Sequence, residues 1–136
     1  MMAILLLCFS CLHNQKVFVS KQQHDDHLNS LRKLNRQMRK QLAQYGTDGN
    51  SALNLNIYFD TDDSLKAQHL ADTLEKIGYR ANIIHRSPKD KTLWVLTPTS
   101  GRVSMDSIAL DNWSNSVCNL AYRHDCEFEG WSPVTE

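Results

Sequence analysis

The 136 residues suffice for one domain with a compact core and an additional helix, and are too few for two independent hydrophobic interiors. An apolar fraction of 41% and a charged fraction of 22% exclude the disordered class. The formal net charge of +0 conceals a split: residues 1–45 set seven basic side chains (Lys16, Lys21, Arg32, Lys33, Arg36, Arg39, Lys40) against Asp25 and Asp26, a balance of +5, so the remainder stands at −5. Such a split points to a solvated helix face, to a basic arm that meets an acidic partner, or to an arm folded back on the acidic body of its own chain.

From Ala3 to Leu12 the chain is almost wholly apolar, with Ser10 before Cys11 in the manner of a lipoprotein cleavage site. The stretch is too short to span a membrane, which takes about 20 apolar residues, and it lacks the basic start of a secretory signal. A truncated export or lipidation signal, a short interfacial anchor and an unstructured start are the readings it leaves. Cys8, Cys11, Cys118 and Cys126 match neither a disulfide scaffold nor a zinc motif and read as free thiols.

Residues 13–24 are polar without a period. Leu28, Leu31, Asn35, Met38, Leu42 and Tyr45 then recur at spacings of three and four, which predicts a helix with the basic residues mostly off its apolar seam. Docking of that seam on the chain's own domain is expected, and homodimerisation through Leu31, Met38 and Leu42 with Asn35 fixing register is the alternative. Gly46-Thr47-Asp48-Gly49-Asn50 ends the helix. Leu53, Leu55, Ile57 and Phe59 alternate with polar residues as a one-sided strand, and Asp62, Asp63 and Ser64 open a helix built on Ala67, Leu70, Ala71, Leu74 and Ile77.

A second strand is expected from Tyr79 through Ala81 and Ile83, and a third at Leu93-Trp94-Val95-Leu96 before Pro98. A broad stripe of Met105, Ile108, Ala109, Trp113, Val117, Leu120, Ala121 and His124 predicts the last helix, and Cys126 to Trp131 the last strand. The order helix, then β-α-β-β-α-β, predicts an α+β fold: a ferredoxin-like sandwich with a four-stranded antiparallel sheet behind a basic amphipathic N-terminal helix. The chain thus divides into an apolar start and linker (1–24), the basic helix (25–45) and the ferredoxin-like domain (51–133). The sheet face away from the repeat's helices is expected to show Asn54, Asn56 and Tyr58, then Arg80, Asn82 and Ile84, then Glu127, Glu129 and Trp131.

No pattern seats catalysis, a metal or a cofactor. Asp60-Thr61-Asp62-Asp63 reads as helix-capping acid rather than a magnesium cluster, and His24, Asp25, Asp26 and His27 as polar linker rather than a metal site. His124-Asp125-Cys126 sets a base, an acid and a thiol in a row, but chain neighbours rarely project to one point, so Cys126 reads as core. Tyr58 and Trp94 could stack RNA bases, yet the signature of an RNA-recognition sheet is missing. Phosphate binding by Arg32, Lys33, Arg36, Arg39 and Lys40 is the remaining nucleic-acid reading.

Phe128-Glu129-Gly130-Trp131, after a long apolar helix and the Tyr122-to-Cys126 connection, resembles the aromatic-acid-Gly-Trp ending of the regulator of ribonuclease E activity B family. The similarity extends over about residues 28 to 133, through Gln41-Leu42-Ala43, Gly46-Thr47-Asp48-Gly49, the strand to Phe59, and Leu70 and Leu74 before Lys76-Ile77-Gly78-Tyr79. The resemblance implies a non-catalytic, cytoplasmic protein that binds a ribonuclease, or a degradosome protein, and inhibits RNA cleavage. The chain departs from the strongly acidic members of that family in its basic first helix, its apolar start and its short end after Trp131. The −5 balance then makes Asp60, Asp62, Asp63, Glu127 and Glu129, with Trp131 as an aromatic anchor, the candidate contacts for a basic partner segment.

Overall fold

A computed structural model describes residues 16–135; the apolar start with Cys8 and Cys11 lies outside them. Among the described residues, three helices, α1 (Lys21–Ala43), α2 (Ser64–Lys76) and α3 (Ser107–Arg123), accompany the strands β1 (Ala52–Thr61), β2 (Arg80–Arg86), β3 (Trp94–Ser104) and β4 (Glu127–Pro133). The strands form one sheet in the order β2-β3-β1-β4 with every neighbouring pair antiparallel, the ferredoxin-like arrangement expected from the element order.

Helix α1 starts at Lys21, four residues before the expected start at residue 25. Ser20 accepts from the backbone N–H of Gln23 while the Gln23 side chain accepts from that of Ser20, a reciprocal cap that fixes the first turn. The helix ends at Ala43, so Tyr45, read as the last seam residue, lies 85% exposed beyond it. Asp63 and Asp106 cap α2 and α3 through their carboxylates.

The central strand β1 turns Leu55, Ile57 and Phe59 into the core, where they meet Ala67, Leu70, Ala71 and Leu74 of α2 and Leu110, Val117 and Ala121 of α3. Each of the other three strands carries one irregularity, and these set which residues face inward. On β4, Phe59 pairs with Phe128 but Tyr58 with Gly130, so Glu129 is the extra residue of a bulge and Gly130 adopts φ +144°. The bulge lets Phe128 and Trp131, three residues apart, both face inward, which plain alternation forbids. Gly130 supplies a backbone conformation that L side chains rarely adopt.

On β2 the register slips between Arg80 and Ile83, so Ile84 faces the core and Ile83 the solvent, the reverse of the alternation expected from Tyr79 through Ile83. The slip lies opposite Pro98, which has no N–H to give the ladder. Strand β3 runs on through that proline to Ser104 instead of stopping before it. The expected placing of Asn82 concerns a side chain outside the described ones.

Helix α1 packs along α3 and beside the β4 edge, on the helical side of the sheet. Asn35, 1% exposed, donates through Nδ2 to Ser114 Oγ at 2.8 Å and Asp111 Oδ1 at 3.0 Å, and its Oδ1 accepts from Trp131 Nε1 at 2.9 Å. The seam considered for a homodimer is therefore occupied within the chain, with Leu31 and Asn35 both buried. This contact also shifts the buried stripe of α3 toward Leu110, Ser114 and Cys118, leaving Ile108 72% exposed.

The lead into α1 is tied to the α3–β4 turn. Asp125, at φ +54°, accepts from the backbone N–H groups of Phe18 and Val19 and from Lys66 Nζ at 2.6 Å. Partial burial raises its pKa, but Lys66 and the two N–H donors outweigh that and hold it below the ordinary carboxylate value. The stabilisation is present above the unfolded-state pKa and is lost as pH falls below about 4. Asp125→Asn, which tolerates the same backbone, should cost about 2 kcal/mol at pH 7 and progressively less as pH falls below about 4; urea titrations across that range check this.

Candidate functional site

All three helices lie on one side of the sheet, and among the described residues no element covers the other. Its rows follow from the register: Glu127, Asp60, Val95 and His85 run across one end; Gly130, Tyr58, Thr97 and Ile83 cross the middle; Ser132, Asn56, Thr99 and Arg80 cross the far end. The middle row is apolar at two points, with Tyr58 37% and Ile83 59% exposed. The Tyr58 hydroxyl and Ser132 Oγ share a hydrogen bond of 2.9 Å, which holds the ring across β4. Ile84 and Trp131, expected on this face, point into the core instead, because the β2 and β4 bulges each reverse the alternation.

The acidic end is the electrostatically unusual part. Asp60 and Glu127 are paired across β1 and β4, and Glu129 joins them from the bulge. Glu129 lies close enough to Asp60 and Glu127 for a proton that it keeps to be shared with them. Partial burial, then the negative charges of Glu127 and Asp60, push Glu129 up to about 8. Because Glu129 still reaches solvent, its desolvation is incomplete, and the carboxylate repulsion is the part that a bound cation would relieve. Burial also raises Asp60, with the charge of Glu127 adding to it, against the opposing effects of its contact with Glu129 and of Lys89. Among the described residues, His27 of α1 meets the trio, its Nε2 lying 2.8 Å from Glu127 Oε1.

The other sequence-derived candidates are employed in the fold. Asp62 pairs with Lys66 at 2.8 Å, and Asp63 caps α2 by accepting from Leu65 N–H. Trp131 is 5% exposed and bound to Asn35, so its ring pins α1 to β4 and offers no surface to a partner. The pairing of β1 with β4 thus brings together Asp60, Glu127 and Glu129 from the six expected contacts, with Tyr58 next to them and His27 of α1 against Glu127; Ile83 lies on the same face at its far edge, on β2. His27 had read as linker; the missed signal was the capping box that starts the helix before it.

Tyr58 and Trp94 cannot form a stacking platform, because Trp94 pairs with buried Thr61 on the helical side of the sheet and lies under Arg86 at 4.2 Å. Nor do His124 and Cys126 make a nucleophile pair. The His124 ring meets Thr73 Oγ1 at 3.3 Å, the Cys126 thiol donates to the His124 carbonyl, and burial pushes that thiol up to about 12. His24 stacks on Tyr122 at 4.1 Å, and no metal-holding group of His, Cys, Asp and Glu occurs among the described residues.

On α1, Arg32 approaches Asp111 at 3.8 Å and Arg39 Nε donates to the Met105 carbonyl at 2.9 Å, whereas Lys33, Arg36 and Lys40 are exposed on the opposite side from the seam. None of the described helices is long and apolar enough to cross a membrane.

No curated protein matches the sequence. The family model described as regulator of ribonuclease activity B matches residues 32–132, from the second half of α1 to the end of the sheet. With most of its length matched, the chain belongs to the regulator of ribonuclease activity B family.

Proposed function

We propose that the chain regulates a ribonuclease in the cytoplasm by binding it, or a protein assembled with it, through the uncovered sheet face, and that it performs no chemistry of its own. Membership of a family described by ribonuclease regulation supports the target class. The observation that carries the mode of action is the convergence of Asp60, Glu127 and Glu129 at one end of the face, next to Tyr58, with Ile83 exposed on the far edge strand. A Lys or Arg of the partner placed among the three carboxylates displaces the shared proton and relieves their repulsion, while the apolar row supplies area to bury. Inhibition then follows from occlusion of the partner's basic surface.

Titration of the chain into an RNA-cleavage assay of a purified ribonuclease tests the proposal. The initial rate should fall in proportion to complex formed and level off at saturation. An unchanged rate at a large excess of the chain, together with no complex by light scattering, would refute it.

A further inference from the structure

The second half of α1 carries five basic residues and no acid, and the structure divides them into two sets. Arg32 and Arg39 turn toward the chain's own Asp111 and Met105 carbonyl. Lys33, Arg36 and Lys40 follow one another at i, i+3 and i+7, so they form a single stripe about 10.5 Å long. All three are exposed, and none has a carboxylate within 4 Å or a hydrogen-bond partner among the described residues. The helix dipole accounts for Lys40, which stands in the last turn, but not for Lys33 and Arg36 farther in. Seam packing does not account for them either, since Leu31, Asn35 and Met38 occupy the other side.

We infer that this stripe is a docking surface for the phosphate backbone of single-stranded RNA, separate from the acidic sheet face. Complementary charge selects a polyanion, and the choice of RNA rests on the ribonuclease reading of the family match. The placement suits a regulator that meets an enzyme together with its substrate. His27, which touches the acidic trio, and Arg36 stand nine residues apart on the same helix, about 13.5 Å along its axis. One rigid element therefore carries the border of an acidic surface for protein and a basic surface for RNA. Contacts of this kind are made to phosphate and not to base edges, so they are indifferent to sequence.

Fluorescence anisotropy of an end-labelled 20-nucleotide single-stranded RNA with the full chain tests the inference. Three phosphate contacts should contribute about −2 to the slope of log K against log salt, a loss of roughly 20-fold in affinity between 50 and 200 mM. Lys33→Gln/Arg36→Gln/Lys40→Gln should remove that contribution without changing the thermal midpoint, and Lys33→Glu/Lys40→Glu should abolish binding. Glu127→Lys/Glu129→Lys should still bind RNA, so failure of the acidic-face reading is distinguishable from failure of this one. No binding by the unmodified chain at 50 mM salt, or an unchanged slope in the glutamine variant, would overturn the inference. Tighter binding of a labelled polyglutamate peptide of equal length would assign the stripe to an acidic protein and overturn it as well.

Discussion

Trp131→Ala is expected to cost about 3–5 kcal/mol and to lower the thermal midpoint by roughly 10–20 °C, the largest effect of any single change in β4. The indole is 5% exposed, it belongs to the core cluster, and it is the donor that satisfies Asn35 Oδ1 from a residue 96 positions away. Removing it opens a cavity and also leaves a buried amide oxygen without a partner. Trp131→Phe keeps an aromatic ring in the pocket but loses the indole N–H together with part of the bicycle, so about 1–3 kcal/mol of the loss should persist, most of it from the unpaired Asn35 oxygen. A double-mutant cycle with Asn35→Ala, read by urea unfolding, should show the two residues to be coupled, whereas strict additivity would mean that Trp131 does not hold α1.

Stability should fall as pH rises from about 4.5 toward about 8, and Glu129→Gln should flatten that slope. In the folded chain Glu129 keeps its proton up to about 8, while the unfolded chain releases it near the ordinary glutamate value of 4.5. Between those limits the native state binds the extra proton, so each step up in pH favours unfolding; above about 8 both states are ionised and the slope vanishes. The partner reverses the sense of the dependence for binding. A basic segment prefers the ionised trio, so its affinity should rise with pH to about 8, with proton release at pH 7 visible by calorimetry in buffers of different ionisation enthalpy. Burial holds His124 below its ordinary value and works in the opposite sense, so the deciding comparison is with Glu129→Gln: a pH dependence between 5 and 8 that this variant leaves unchanged would show that the three carboxyls do not share a proton.

Much of this fold is legible in the residues themselves, and the failures have a common cause. Leu53 to Phe59 alternate cleanly and form the one strand without an irregularity of its own. The Gly130 bulge could have been read from the odd spacing of Phe128 and Trp131, since two large inward residues three apart need an extra residue between them. The slip on β2 leaves no such trace, because Ile83 and Ile84 are equally fit for the core and the deciding partner, Pro98, lies on another strand. Asn35 read as a register residue for a dimer for the same reason: its three partners, Asp111, Ser114 and Trp131, stand 76 to 96 positions away.

The candidate site shows the same division. Strand order alone sets β4 beside β1, so Asp60 can meet Glu127 and Glu129, and their grouping follows from sequence once the topology is accepted. Asp62 and Asp63 are chemically identical candidates, but one is consumed by Lys66 and the other by the start of α2. Local sequence supplies the charge and tertiary contact decides which charge stays free.

If the acidic end of the open sheet face meets a basic surface of the ribonuclease, the association rate of purified Glu127→Lys/Glu129→Lys with that enzyme across a salt series reports it. Both positions reach solvent and neither side chain belongs to the core, so the variant should keep its fold. The rate should be at least about 10-fold slower than that of the unmodified chain at low salt, with its salt dependence flattened or reversed. A rate and a salt slope equal to those of the unmodified chain would contradict it.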